Sequence, residues 1–172
     1  HVRGALHGSM LRNDIFDFCR LGTFLERADT TARILDVKYY VLLPSVTQVG
    51  ASLDNVQWET ILRSVSGMRA FSWLHPGKAT PLGIADFLIF DPRMPRSLRY
   101  SVTKIRSNLS MLEAEYGDRH PCHDTVQKLD GCLSSRKVED VFEDGLHEFL
   151  TEFLSDLSRL GAQIETDFKF VG

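Results

Sequence analysis

The chain has 172 residues, the length of one domain, and 43% of them are apolar and 25% charged. A chain of this length buries roughly 70% of the surface its unfolded form exposes, so folding requires neither disulfide nor metal. A net charge of −3 and a pI near 6.1 exclude a general basic field, so neither nucleic acid nor an anionic membrane is expected as a partner.

Cys19, Cys122 and Cys132 are odd in number and lack C-x-x-C spacing, which fits a reducing cytoplasm better than a disulfide scaffold. No run approaches the ~18 consecutive apolar residues of a membrane span, and no signal peptide is visible. The chain opens on His1 rather than methionine, which suits a piece of a longer protein.

The first predicted element covers residues 13–43. Phe18, Leu21, Leu25, Ala28, Ala32, Leu35, Tyr39 and Leu42 recur at steps of three and four, the seam of a long helix. Pro44 ends it, at a length of about 45 Å. Ile34, Val37, Tyr40 and Val41 lie off the seam, so more than one neighbour should cover the last turns.

Asp54 reads as an N-cap with Gln57 completing a capping box, and Trp58, Ile61, Leu62, Val65 and Met68 carry that helix to Trp73. His75-Pro76-Gly77 breaks it. Thr80 then caps a short helix with Pro81 at its first position and Ile84, Ala85, Leu88 and Ile89 facing inward. After the stiff link Asp91-Pro92-Arg93-Met94-Pro95, a long helix follows through Leu98, Val102, Ile105, Leu109, Leu112 and Tyr116, with Gly117 placed to stop it.

Pro121 to Ser134 forms another through Cys122, Val126, Leu129 and Leu133. The last expected helix spans 138–168, with Phe142, Leu146, Phe149, Phe153, Leu157, Leu160 and Ile164 on its apolar stripe. No period-two strand bounded by turn residues occurs. The expected fold is all-α: one domain over residues 1–172, an antiparallel bundle of about five to six helices whose first, fourth and last are long.

The segment Phe24-Leu25-Glu26-Arg27-Ala28-Asp29-Thr30-Thr31-Ala32-Arg33-Ile34-Leu35-Asp36-Val37 resembles the bacterial Alpha-E family, named for an alpha-helical domain with a Glu-Arg motif. Gly8-Ser9-Met10-Leu11-Arg12, Lys38 to Pro44, Gln57-Trp58 through Phe71, Pro95-Arg96-Ser97-Leu98 and Gly145 to Leu150 resemble it in the same order. Family domains carry a Glu-Arg helix in each of two halves, so the resemblance implies that this chain is the second half of a repeated domain. The family's proteins are associated with ATP-grasp-like and transglutaminase-like proteins. The resemblance therefore implies an accessory role in a peptide-forming or peptide-modifying system, with one of those proteins as partner. A twofold homodimer, one copy replacing the absent half, is also expected.

Glu26, Arg27, Asp29, Arg33 and Asp36 crowd both signs of charge onto a few turns. Asp29 and Arg33 are an i,i+4 pair. Adjacent Glu26 and Arg27 point about 100° apart and cannot simply pair with each other. They serve either to register helices or to bind and act on a ligand. His147-Glu148 suggests a zinc helix, but Thr151 stands where the second histidine would be. Asp144-x-x-His147 has the spacing of di-metal bundles without a second copy. No metal and no cofactor is expected.

His120, Cys122, His123 and Asp124 fit no zinc spacing and read as coincidence. Arg93, Arg96, Arg99 and Arg106 gather at a helix start, where free amides and guanidinium groups favour an anion. No phosphate-binding glycine loop or nucleophile elbow occurs, so a self-contained nucleotide enzyme or serine hydrolase is not expected. Two classes of function stand: a non-catalytic interaction domain, and an enzyme whose Glu26, Arg27 and His147 share a cleft at the junction of two halves.

Overall fold

The computed structural model describes residues 14–40, 52–77 and 79–168, with side chains over 15–37, 56–77 and 79–168. Eight helices and no strand occur among the described residues. They are α1 (Asp14–Tyr40), α2 (Ser52–Ser64), α3 (Met68–Leu74), α4 (Pro81–Phe90), α5 (Leu98–Tyr116), α6 (Pro121–Ser135), α7 (Val138–Asp144) and α8 (Leu146–Asp167). Val41, Leu42, Leu43 and Pro44, the end expected for the first helix, lie outside the described residues, as does the Gly8 to Arg12 block.

Four long helices form the body. α1 packs most extensively on α5 and also on α8, and α6 closes the square against α5 and α8. Contacts along each seam fix the directions. Thr31 meets Arg96 while Phe24 meets Tyr100, so α1 and α5 are antiparallel. Asp36 meets His147 and Phe18 meets Phe168, so α1 and α8 are antiparallel as well. Arg106 reaches Asp130 and His123 reaches the Leu109 carbonyl, which sets α6 against α5 in the same sense. The result is an up-down-up-down bundle.

The stripes read from the sequence form its core. Leu98, Val102, Ile105, Leu109 and Leu112 on α5 are fully enclosed, and so are Ala28, Ala32 and Leu35 on α1. Each fully buried leucine or isoleucine contributes roughly 1.5–3 kcal/mol of transfer free energy. On α1 the buried set also takes in Phe16 and Phe24, while Phe18 and Leu25 are only partly covered.

The short helices sit at the end where α1 stops, α5 begins, and α6 passes to α8 through α7. α4 packs on α2, α5 and α7 and is its centre. Thr80 caps α4 as expected, its Oγ1 accepting from the Gly83 amide at 3.1 Å. Ser97 caps α5, and Gly117 ends it with φ +76°.

Two expected helices are each divided. The 54–73 helix breaks at Val65-Ser66-Gly67, where Ser66 has φ +56°. A Cβ on Gly67 would lie 3.0 Å from Leu62 Cδ1 and 3.2 Å from Met94 Cε, so only glycine fits this turn without displacing its neighbours. The 138–168 helix breaks at Gly145, whose φ of +109° no helix contains. These two breaks raise the count from the expected five or six to eight among the described residues.

Two local expectations also change. α2 begins at Ser52, so Asp54 lies inside its first turn and is not the cap. Ahead of the second break the register differs from that of α8: Val138 and Val141 are buried on α7, and Phe142 is 39% exposed, resting beside Trp58. No helix among the described residues is long and apolar enough to cross a membrane.

Candidate functional site

Glu26-Arg27 is the single Glu-Arg pair in the chain and lies mid-way along α1. Its two residues have different surroundings, as their angular separation requires. Glu26 is exposed. Arg27 is half-buried, its guanidinium 5.2 Å from the Phe24 ring centre and its Nη1 donating to the Pro95 carbonyl at 3.3 Å. One turn further on, the buried Thr31 donates through Oγ1 to the Arg96 carbonyl at 2.8 Å. The motif helix thus holds the link between α4 and α5 by two successive backbone carbonyls.

That link is also braced from within. Asp91 accepts from the Arg93 amide at 2.8 Å, from its Nε at 3.1 Å and from its Nη2 at 3.0 Å. Burial works to raise the Asp91 pKa, but the hydrogen bonds and charge of Arg93 outweigh it and hold the carboxyl below its ordinary range. Ser97 Oγ donates to the Asp91 carbonyl at 2.6 Å and accepts from the Tyr100 amide at 3.0 Å.

The three arginines expected to hold an anion are therefore placed apart in role. Arg93 is engaged by Asp91, the Arg96 carbonyl is taken by Thr31, and Arg99 lines a cleft beyond the link. Arg106 pairs with Asp130 at 2.6 Å.

Asp29 and Arg33 form the expected i,i+4 pair at 2.8 Å on the solvent side of α1, and this bond to Asp29 raises the Arg33 pKa. Asp36 reaches across to α8, where His147 Nδ1 lies 2.7 Å from its Oδ1. His147 Nε2 is 3.5 Å from Thr151 Oγ1, and Glu148 is exposed beside it. Asp36 is ten residues from Glu26, about 15 Å along the helix axis. His147 and the Glu-Arg pair consequently do not meet. Asp144, the other half of the di-metal spacing, is bound by Arg136 at 2.9 Å. No group of three or more metal-ligating side chains occurs among the described residues.

The His120–Asp124 block has a structural order that its spacing did not announce. His123 is 4% exposed; its Nδ1 accepts from the His120 amide at 3.0 Å, which leaves Nε2 to donate to the Leu109 carbonyl at 2.9 Å. One neutral tautomer meets both needs. The Cys122 amide donates to Asp167 Oδ2 at 2.8 Å, tying the start of α6 to the end of α8. Burial, and then the hydrogen bond and charge of Asp167, push the Cys122 thiol up to about 12, so it is no nucleophile at neutral pH. The one sequence signal here was a polar residue before Pro121 at a helix start.

Comparison with known proteins agrees with the motif helix. Residues 1–168 match the Alpha-E family, described as a predicted alpha-helical domain with a conserved ER motif. No curated protein and no solved structure matches the chain. With the family's match spanning nearly its full length and the Glu-Arg pair seated on its longest helix, the chain belongs to the Alpha-E family.

Proposed function

We propose that this chain is a non-catalytic helical interaction domain, an accessory to a peptide-ligating or peptide-modifying enzyme of ATP-grasp-like or transglutaminase-like type. One observation carries the reading: the polar residues that an active site would need are used to join helices. Arg27 is spent on the Pro95 carbonyl and His147 on Asp36, at well-separated levels of α1, and Glu26 is exposed on another face of the helix. Polar contacts of this kind set the register of helices more than they add raw stability. The partner type follows from the family resemblance alone. A reducing cytoplasm suits the exposed thiols of Cys19 and Cys132.

The test is a titration of the purified chain against an ATP-grasp-like and a transglutaminase-like protein from its host, read by calorimetry. Saturable binding to one of them, retained by Arg27→Met and His147→Gln, supports the proposal. Turnover of a peptide substrate by the chain alone, abolished by either substitution, overturns it in favour of an enzyme. The expected twofold dimer belongs to the same reading, and light scattering that finds only monomer at high micromolar concentration removes it.

A further inference from the structure

On the far side of the braced link lies a cleft of about 410 Å³, within the roughly 300–1,000 Å³ of small-molecule sites. α4 supplies Asp86 and Phe90 to it, α5 supplies Arg99, Lys137 comes from the turn before α7, and the first turn of α7 supplies Val138 and Glu139. Phe90 and Val138 are 7% and 4% exposed and form an apolar floor. Charges of both signs stand around that floor.

Two further charged residues of the lining are already committed. Arg136 pairs with Asp144 at 2.9 Å and lies over the Phe149 ring, and Asp91 is bound by Arg93. Four charges are left: the carboxylates of Asp86 and Glu139 and the cations of Arg99 and Lys137. None of the four forms an ion pair among the described residues. Asp86 bears a cost for this. Burial, and then the negative charges of Glu139 and Asp91, raise its pKa, with His75 opposing weakly.

Two anions and two cations that share a cleft without neutralising one another make a dipolar surface. A simple anion would meet Asp86 and Glu139 and be repelled; a simple cation would meet Arg99 and Lys137. A metal ion is disfavoured on the same ground. The complementary solute carries both signs at a short separation.

We propose that this cleft binds a small zwitterion of the amino-acid or short-peptide kind, its ammonium held by Asp86 and Glu139 and its carboxylate by Arg99 and Lys137. The site is independent of the scaffold reading, since a domain that recruits an enzyme can also hold a small molecule. Arg27 and Thr31 bear on it from the other side, because the link they hold carries Asp91 and Pro92 into the lining.

The experiment follows the backbone amides of the full chain by NMR during titration with L-alanyl-L-alanine, its N-acetyl form, its C-terminal amide and inorganic phosphate. Saturable shifts at Phe90, Arg99 and Glu139 are expected with the uncapped dipeptide. Each cap should weaken binding about tenfold, the scale of losing one charge-assisted contact. Asp86→Asn should abolish the preference over the acetylated form, and Arg99→Met the preference over the amide. Either capped form binding as tightly as the free dipeptide overturns the proposal. Phosphate matching the dipeptide, or no saturable shift in the cleft, overturns it too. The wild-type comparison decides even where a variant fails to fold.

Discussion

The four bundle helices and the short helices at their end bury apolar residues by different means. α1, α5, α6 and α8 each turn one stripe inward, and α5 encloses Leu98, Val102, Ile105, Leu109 and Leu112 at regular spacing while its other face meets water. α4 has no such division: Ile84, Ala85, Phe87, Leu88, Ile89 and Phe90 are all buried, covering most of its circumference. Its neighbours α2 and α3 are joined through Ser66 at φ +56° and Gly67, where a Cβ would crowd Leu62 and Met94, and α7 is joined to α8 through Gly145 at φ +109°. A long helix carries its own order in its periodicity. A cluster of short ones depends on a few links that aim them at a common centre.

The largest effect should come from emptying that centre. Phe87 is 1% exposed, touches the Phe71 ring edge-on, and its replacement by alanine should cost about 3–5 kcal/mol. Ile105→Ala, in the middle of the bundle, should cost about 2–5 kcal/mol. Urea unfolding measures both costs, and hydrogen exchange separates their reach. Phe87→Ala should speed exchange in α2, α4 and α7 well before α5 and α8, whereas Ile105→Ala should loosen all four bundle helices together. Equal acceleration everywhere in both variants would erase the distinction between the two regions.

Gly145→Ala tests the links directly. Alanine at φ +109° is strained, and its Cβ would also press on the Glu148 carboxyl. A loss of about 1–3 kcal/mol is expected, read from the urea midpoint. If alanine were neutral there, α7 and α8 would be able to run on as one helix and the break would have no structural work to do.

That break also shows where sequence reading stops. The apolar stripe from Leu146 to Ile164 is periodic and was legible, as were the Thr80 cap, the Gly117 stop and the Asp29–Arg33 pair. A glycine within a helical pattern costs only about 1 kcal/mol, so Gly145 alone could not declare whether it bent the chain. Phe142 was placed on the wrong face for the same reason: its register was carried back across a break that periodicity does not mark. The Glu-Arg pair stands out through the family resemblance and its crowded charges, but the partners of Arg27 and Thr31 are backbone carbonyls at Pro95 and Arg96, which every residue possesses and no sequence pattern encodes. The cleft was hidden similarly, because Asp86, Arg99 and Glu139 come from three helices far apart in the chain.

The seam where the two regions join offers a smaller test. Thr31→Val keeps the shape of a buried side chain and removes its donor to the Arg96 carbonyl, so about 1 kcal/mol should be lost. Arg27→Met should lose less, its bond to Pro95 being longer and partly open to water. Exchange at the Ser97 and Tyr100 amides should rise in both variants while α6 stays protected. A loss confined to α1 would mean that the link holds itself through Asp91 and Ser97 without help from the motif helix.

The smallest effect is electrostatic and has an unusual sign. Asp91 and Asp86 stand little more than one turn apart, yet Arg93 holds the first carboxyl below its ordinary range, whereas burial, with Glu139 and Asp91 nearby, raises the second. A raised folded-state pKa means that the folded chain holds the proton more tightly than the unfolded one. Ionised Asp86 therefore costs stability at neutral pH, and the cost fades as the pH falls through the raised folded-state pKa toward the ordinary carboxylate range. Arg99, Arg136 and Lys137 line the cleft, and solvent screens their charges. Asp86→Asn should thus stabilise the chain at neutral pH by no more than about 0.5 kcal/mol, with the gain vanishing in acid. Asp91→Asn should do the reverse, because a depressed pKa contributes stability that is present at neutral pH and lost as the pH falls. Paired urea midpoints across the acid range would measure both. If Asp86→Asn weakened the fold at neutral pH, its carboxylate would have to be compensated within the protein, and the cleft would have no charge to spare for a ligand.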